Sequence, residues 1–155
     1  MHGRTMVLDE AGLEGWGERA GRALRPPLFI ALRGELGAGK STLARAVARG
    51  AGVGEAMPSP TFNLLFRYPA APDVTVVHLD LYRLEEPEEV WELGWEDLPA
   101  DDEIVLVEWP ERAEWYLPPD RWEIRLEEVD GGAARRLEVV AVGAPGEFAV
   151  PEGSI

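Results

Sequence analysis

The chain of 155 residues contains no cysteine, and this absence excludes several classes of protein. Without cysteine there is no disulfide framework, no cysteine-based metal site and no thiol nucleophile. Long hydrophobic runs are also missing, since no segment approaches the roughly 18 apolar residues of a transmembrane helix. The start, Met1–Thr5, leads into no apolar stretch that would serve as a signal peptide. We therefore expect a soluble, cytoplasmic protein with no membrane contact.

Basic residues are scarce. The chain has 15 Lys and Arg against 29 Asp and Glu, a formal net charge of −14. Proteins that hold nucleic acid over a broad surface neutralise its phosphates with Lys and Arg. We therefore predict no broad nucleic-acid-binding surface, so that any contact with RNA is local or made through another protein.

Lysine is the rarest basic residue, because Lys40 is the only one beside 14 arginines. It lies in the stretch Gly34-Glu35-Leu36-Gly37-Ala38-Gly39-Lys40-Ser41, which fits G-x-x-x-x-G-K-[ST], the P-loop that holds nucleotide phosphates. Glycines let backbone N–H groups face phosphate oxygens, the lysine neutralises the β- and γ-phosphates, and the Ser41 hydroxyl can ligate Mg²⁺. The apolar run Leu28–Leu32 before the loop and a helix-favouring stretch after it give the strand–loop–helix context that the motif requires.

Two further apolar runs of strand length end in a carboxylate, one at Asp80 and the other at Glu108. Either acid could hold the Mg²⁺ shell or orient an attacking water, and the sequence leaves both assignments open. Trp109, directly after the second acid, could cover the phosphates. His78 lies inside the first strand with no metal-ligand partner at useful spacing, and we interpret it as structural.

The loop from Gly50 to Pro60 presents two hydroxyl residues, Ser59 and Thr61, just after the predicted P-loop helix. Many P-loop proteins keep a nucleotide-sensing switch there, although ordinary turn chemistry is the alternative. Further on, Glu85–Glu103 contains ten acids and no Lys or Arg. This segment is either a solvated face or a docking patch for a basic partner, with exposed tryptophans as anchors.

The remaining pattern predicts the fold. Asp9 caps a helix that ends before Pro26-Pro27, and alternating residues from Trp122 onward predict a hairpin. We expect an α/β protein: a P-loop NTPase-like three-layer sandwich with a mostly parallel central sheet and an appended C-terminal antiparallel hairpin. Residues 1–143 are predicted to form a single P-loop ATPase domain, followed by a mobile tail over 144–155.

Four motifs in this order carry a resemblance to a known family: the P-loop Gly34–Thr42, Ser59-Pro60-Thr61-Phe62, His78-Leu79-Asp80-Leu81-Tyr82-Arg83-Leu84 and Val107-Glu108-Trp109-Pro110-Glu111. The chain resembles the TsaE (YjeE) family of bacterial ATPases, required for threonylcarbamoyladenosine biosynthesis in tRNA. Its departures are conservative: Ser41 stands where Thr is common, and Phe62 stands where Tyr is frequent.

The resemblance implies binding of ATP or ADP with Mg²⁺, and hydrolysis that is weak when the protein is alone. It implies action with TsaD and TsaB in modifying adenosine 37 of tRNA, so that tRNA is reached only through the complex. It also implies roles for single residues. Ser41 and Glu108 would hold Mg²⁺, Asp80 and Thr61 would surround the γ-phosphate, and Trp109 would matter for activity. The nucleotide-binding residues would be Gly34, Gly37, Ala38, Gly39, Lys40, Ser41 and Thr42.

Two other functions compete with this interpretation. One is a small-molecule P-loop kinase, which usually carries several arginines in a lid; here the middle of the chain is acidic and would repel a phosphorylated acceptor. The other is a nucleotide-gated binding module, in which ATP stabilises a complex without any required turnover.

Overall fold

A single sheet of seven strands runs through the computed structural model, which describes residues 3–54 and 64–153. The strands follow the spatial order β1-β7-β6-β2-β5-β4-β3. The four neighbours β6, β2, β5 and β4 run parallel, whereas β1, β7 and β3 join through antiparallel pairs. The strand bounds are β1 (Gly3–Leu8), β2 (Leu28–Arg33), β3 (Leu65–Ala71), β4 (Val74–Asp80), β5 (Glu103–Glu108), β6 (Arg121–Val129) and β7 (Ala134–Val142).

The two faces of this sheet carry different helices. On one face α1 (Glu10–Ala23) packs against α2 (Lys40–Ala51). The first helix begins as predicted, because the Asp9 carboxylate accepts a hydrogen bond of 2.7 Å from the backbone of Gly12. The other face carries short 3₁₀ helices, Pro87–Leu93, Trp95–Asp97 and Pro110–Tyr116, and a fourth, Asp130–Gly132, joins β6 to β7. The predicted α/β class is therefore confirmed, with 3₁₀ rather than α helices on the second face.

Residues of the central strands alternate between two apolar clusters, as the period of a β-strand requires. Ile30 and Leu106 belong to the cluster beneath α1 and α2. Phe29 and Val105 belong to the cluster beneath the 3₁₀ helices. The parallel strands are therefore buried on both faces, which is the usual state of parallel sheets.

The register of β4 and β5 brings together the polar residues near their ends. Asp80 is the Cα partner of Glu108, and His78 is the partner of Leu106. Because Leu106 faces α1 and α2, strand alternation places His78, Asp80 and Glu108 on the same face. Both acids therefore lie at the end of the sheet where α2 begins.

The C-terminal strands differ from the predicted appended hairpin. They are antiparallel partners of each other, but β6 also pairs in parallel with β2 from Ile30 to Arg33. β7 in turn pairs with β1, a strand that the sequence pattern does not predict. Both strands therefore continue the central sheet. Their position brings side chains of β7 close to the P-loop.

The segment after Gly143, which the sequence pattern indicates to be a mobile tail, contacts the domain. Phe148 is 7% exposed, and its ring packs edge-on against Trp16 and Trp122. The two indole N–H groups donate to tail carbonyls, Trp16 to Pro151 and Trp122 to Gly146. The buried ring of Phe148 and the two indole groups therefore hold in place a segment whose Gly and Pro content predicts that it is mobile.

Candidate functional site

The loop that joins β2 to α2 depends on glycine at defined positions. An added Cβ at Gly34 would lie 2.7 Å from the carbonyl oxygen of Leu126, closer than any side chain allows. Gly39 precedes α2 with φ 103°, a left-handed conformation that other residues rarely adopt. Gly34 and Gly39 are therefore required by the backbone path of the loop.

A cleft of about 360 Å³ opens between this loop, α1 and the ends of β4 and β5. It brings together most of the residues that the sequence singled out: Gly37, Gly39, Lys40, Ser41, Thr42, Asp80, Glu108 and Trp109. Gly34 and Ala38 do not line it; they line a neighbouring cavity. Ser59 and Thr61, the predicted switch residues, lie outside the described residues. Five further residues line the cleft, namely Glu10, Leu13, Leu36, Tyr82 and Arg135.

A chain of three polar side chains lies beneath the first turn of α2. The Ser41 hydroxyl donates to Oε1 of Glu108 at 2.8 Å. Oε2 of the same carboxylate lies 2.7 Å from Nε2 of His78. Glu108 is only 2% exposed, so both of its oxygens are satisfied inside the protein.

Lys40 is nearly buried, at 5% exposure. It donates to the carbonyl of Gly34 and lies 3.3 Å from the centroid of the Trp109 ring. Burial lowers the pKa of this lysine, against the opposing effect of the nearby carboxylates. A phosphate in the loop would compete with the indole face for the same ammonium.

The two candidate acids differ in proton affinity. Burial raises the pKa of Asp80, and repulsion from Glu108 adds to the effect, although the Tyr82 amide partly offsets it with a hydrogen bond of 3.1 Å. Burial also tends to raise the pKa of Glu108, but hydrogen bonds from His78 and Ser41 outweigh this effect and lower the pKa. Glu108 is therefore the more firmly ionised of the two acids, and Asp80 accepts a proton more readily.

The donor set around Ser41 suits magnesium. The hydroxyl and carboxylate oxygens are hard ligands, and Mg²⁺ typically takes one or two carboxylates together with waters and substrate phosphates. Across residues 3–54 and 64–153, no group of three or more His, Asp or Glu side chains could hold a metal ion. Ser41 and Glu108 therefore fit a cation that obtains its remaining ligands from a bound nucleotide and water.

Two contacts at the site were not predicted from the sequence. The first is that of His78, interpreted there as structural, with Glu108; the alternation of His78 with Asp80, which places both on one strand face, was the signal available. The second is that of Arg135 with the P-loop; its Nε donates to the carbonyl of Ala38 at 2.9 Å, and a terminal nitrogen donates to Gly37 at 3.3 Å. No local signal marks Arg135, because the contact spans 97 positions of the chain.

In the described part of the chain, no helix has the length and apolar character needed to cross a membrane.

Comparison with known proteins gives consistent matches. A protein-family model described as "Threonylcarbamoyl adenosine biosynthesis protein TsaE" matches residues 7–137. A solved structure, YdiB from Bacillus subtilis, superimposes with a TM-score of 0.74 over 92% of this chain and 87% of its own. At 23% sequence identity, this likeness supports the fold alone.

Curated relatives share the name "tRNA threonylcarbamoyladenosine biosynthesis protein TsaE". The Rickettsia conorii protein is 40% identical over 110 residues, covering 70% of this chain but only 62% of its own length. The Rickettsia bellii protein is 34% identical over 131 residues, covering 84% of this chain and 90% of its own. The Streptomyces coelicolor protein is 36% identical over 132 residues, covering 84% and 89%. Since the family model spans most of the chain and two relatives match along nearly their full length, the chain belongs to the TsaE family of threonylcarbamoyladenosine biosynthesis proteins.

Proposed function

We propose that this protein hydrolyses ATP as an accessory factor in forming threonylcarbamoyladenosine at adenosine 37 of tRNA, and that it acts with TsaD and TsaB. Family membership supports the pathway. One observation carries the ATPase activity: the P-loop lysine, the Ser41–Glu108 pair and Asp80 line a single cleft at the N-terminus of α2.

The residues of the cleft suit phosphoryl transfer to water, which needs charge neutralisation and an aligned nucleophile rather than a covalent intermediate. Lys40 would neutralise the β- and γ-phosphates after leaving the Trp109 ring. Ser41 and Glu108 would hold Mg²⁺, which neutralises developing charge on the phosphate oxygens when bound. The N-terminus of α2 adds a positive dipole end.

The difference between the two acids assigns them separate roles. Glu108, the more firmly ionised of the two acids, suits the role of a Mg²⁺ ligand. Asp80, whose pKa is raised, suits a group that orients the attacking water and accepts its proton as the bond from the γ-phosphorus to the leaving ADP oxygen breaks. This assignment predicts that Asp80→Asn binds Mg-ATP but cleaves it slowly, whereas Glu108→Gln binds Mg²⁺ more weakly and needs a higher Mg²⁺ concentration for turnover.

The face of the sheet that carries the 3₁₀ helices supports a protein partner. Trp115 is 92% exposed and Trp91 is 45% exposed, on two 3₁₀ helices that pack against each other, while Trp95 is buried. Ten acids lie between Glu85 and Glu103, and all except the buried Glu103 are at least partly exposed, so this segment is negative. Exposed aromatic rings with acidic neighbours favour a basic protein partner and disfavour nucleic acid, so tRNA would be reached indirectly.

Reconstitution tests the proposal. tRNA, threonine, bicarbonate, ATP and the partner proteins are combined with and without this chain, and modified adenosine and released phosphate are measured together. We expect modification over repeated turnovers to require the chain, and TsaD–TsaB to raise its ATP turnover. Modification that is equally complete without the chain would contradict the function.

The Asp80→Asn variant separates hydrolysis from gating in the same assay. If hydrolysis is required, the variant supports little modification although it binds ATP. If it binds ATP, does not cleave it and still supports full modification, the protein is a nucleotide-gated module.

A further inference from the structure

His78 is a buried polar residue to which the proposed mechanism assigns no role. It lies in the middle of β4 and is 4% exposed. Its Nε2 is 2.7 Å from Oε2 of Glu108. Its Nδ1 is also buried, and the described residues provide no hydrogen-bond partner for it. A buried ring nitrogen without a hydrogen-bond partner among the described residues is unusual inside a protein.

The contact defines which atom carries the proton. An ionised carboxylate can only accept, so Nε2 must donate to Glu108. The arrangement therefore places a hydrogen on Nε2.

We propose that His78 is a positioning residue for Glu108, and this inference rests on the proposed nucleotide site. The imidazole holds Oε2 and thereby fixes the rotation of the carboxyl group. Oε1 then points at the Ser41 hydroxyl, 2.8 Å away, at the head of α2. Ser41, and the Mg²⁺ that it would help to hold, would then meet the carboxyl group in one orientation.

An apolar ring in place of His78 would fill the same space without the donor. Oε2 would then be buried and unsatisfied, and the carboxyl group would rotate or recruit water. Partners that orient metal ligands in this way typically contribute 10- to 100-fold to metal affinity. Removing the imidazole should therefore weaken Mg²⁺ binding more than it weakens binding of the nucleotide itself.

The test compares His78→Phe with His78→Gln, whose amide nitrogen can donate from nearly the same place as Nε2. ATP turnover and ADP binding are each measured as a function of the Mg²⁺ concentration. ADP binding is then measured again in EDTA. We expect His78→Phe to raise the half-saturating Mg²⁺ concentration about tenfold, with ADP affinity in EDTA unchanged. His78→Gln should restore most of the wild-type Mg²⁺ dependence.

Val77→Ala is the matched control, because Val77 neighbours His78 on the same strand but belongs to the opposite cluster. It should lower the melting temperature and leave Mg²⁺ dependence unchanged. The positioning role is overturned if His78→Phe leaves Mg²⁺ dependence unchanged, or if the phenylalanine and glutamine variants are equally impaired.

A spectroscopic readout keeps the inference separate from the proposed function. The chain has two histidines, so their ¹⁵N ring signals are readily told apart in the wild-type protein and a His78→Gln variant. We expect Nε2 to carry a hydrogen in the wild-type protein without nucleotide. An Nε2 that carries no hydrogen would overturn the positioning role even if the ATPase is confirmed. Absence of Mg-nucleotide binding with the expected hydrogen on Nε2 would contradict the proposed function alone.

Discussion

Arg135 connects β7, the last strand in chain order, to the P-loop through two hydrogen bonds. Its guanidinium donates to the carbonyls of Ala38 and Gly37 in the loop, to that of Gly132 in the turn before β7, and to that of Ala134, the first residue of β7. Because Arg135 holds these two loop carbonyls, the backbone amides of the loop remain free to face a phosphate. The loop is therefore anchored from a strand about a hundred residues away.

We expect Arg135→Ala to weaken Mg-ADP binding about tenfold, since hydrogen bonds from a charged donor contribute on the order of 1.5 kcal/mol or more. Titration calorimetry of the folded variant measures this. Arg136→Ala is the matched control, because it removes the same charge from the same strand while its partner, Glu127, is 70% exposed. Equal affinities of the two variants would show that the anchor does not hold the loop.

The site also shows which residues local sequence can reveal. The P-loop, Asp80 and Glu108 are found from the sequence because a motif or a strand end marks each of them. Trp109 is singled out from the sequence because it directly follows Glu108. Its packing over Lys40 cannot be predicted from the sequence, since that contact depends on Trp109 adopting a positive φ of 58° after β5. The contact of Arg135 with the P-loop and the contact of His78 with Glu108 both depend on which strands pair with each other, and no local sequence pattern predicts that pairing.

At the scale of elements, an ion network around the buried Glu123 joins β2 to β6 and to the 3₁₀ helix Pro110–Tyr116. Glu123 of β6 accepts from Arg33, Arg121 and Arg125 at 2.8 to 3.1 Å. Arg33 reaches on to Glu114 with two bonds of 2.7 and 2.9 Å. Burial opposes ionisation of Glu123, but the three guanidinium groups lower its pKa to about 2.

This pKa is below the ordinary value of 4.5, so the ionised form stabilises the folded state. The contribution is complete above pH 4.5 and is lost as the pH falls toward 2. We expect Glu123→Gln to lower the free energy of unfolding by about 3 kcal/mol at pH 7. The difference from wild type should shrink as denaturant titrations are repeated at lower pH.

Glu127→Gln on the same strand is the control for that experiment. Its carboxylate is 70% exposed and pairs with one surface arginine, so we expect a change below about 0.5 kcal/mol. A loss of stability for Glu123→Gln that stays constant from pH 7 to pH 3 would contradict the assigned role of the ionised carboxylate.

Most elements follow from local sequence, and the exceptions have a physical reason. Leu28–Leu32, Val74–Asp80 and Ile104–Glu108 are confirmed as strands because each is an apolar run buried on both faces. β1 is missed because only Leu8 of its six residues is buried. As an edge strand it is defined by its pairing with β7, and no internal pattern marks it.

At the scale of the whole molecule, the C-terminal segment closes the core beside α1. Phe148 fills the space between Trp16 and Trp122 at ring distances of 6.4 and 5.5 Å. We expect Phe148→Ala to lower the free energy of unfolding by about 3 kcal/mol, as removal of a buried phenylalanine does. Thermal and denaturant unfolding measure the loss.

Glu147→Ala serves as the neighbouring control, because its side chain is exposed. It should unfold like the wild-type protein. If Phe148→Ala is as stable as Glu147→Ala, the segment after Gly143 is not part of the folded unit.

The central claim is that the P-loop cleft binds a nucleotide whose phosphates are held by Lys40 and whose Mg²⁺ is held by Ser41 and Glu108. Titration calorimetry of the purified chain with Mg-ATP and Mg-ADP tests it most directly, with Lys40→Ala as the matched variant. The account predicts saturable heat at one site for the wild-type chain and none for the variant. Absence of heat from the wild-type chain, or the same heat from both proteins, would contradict it.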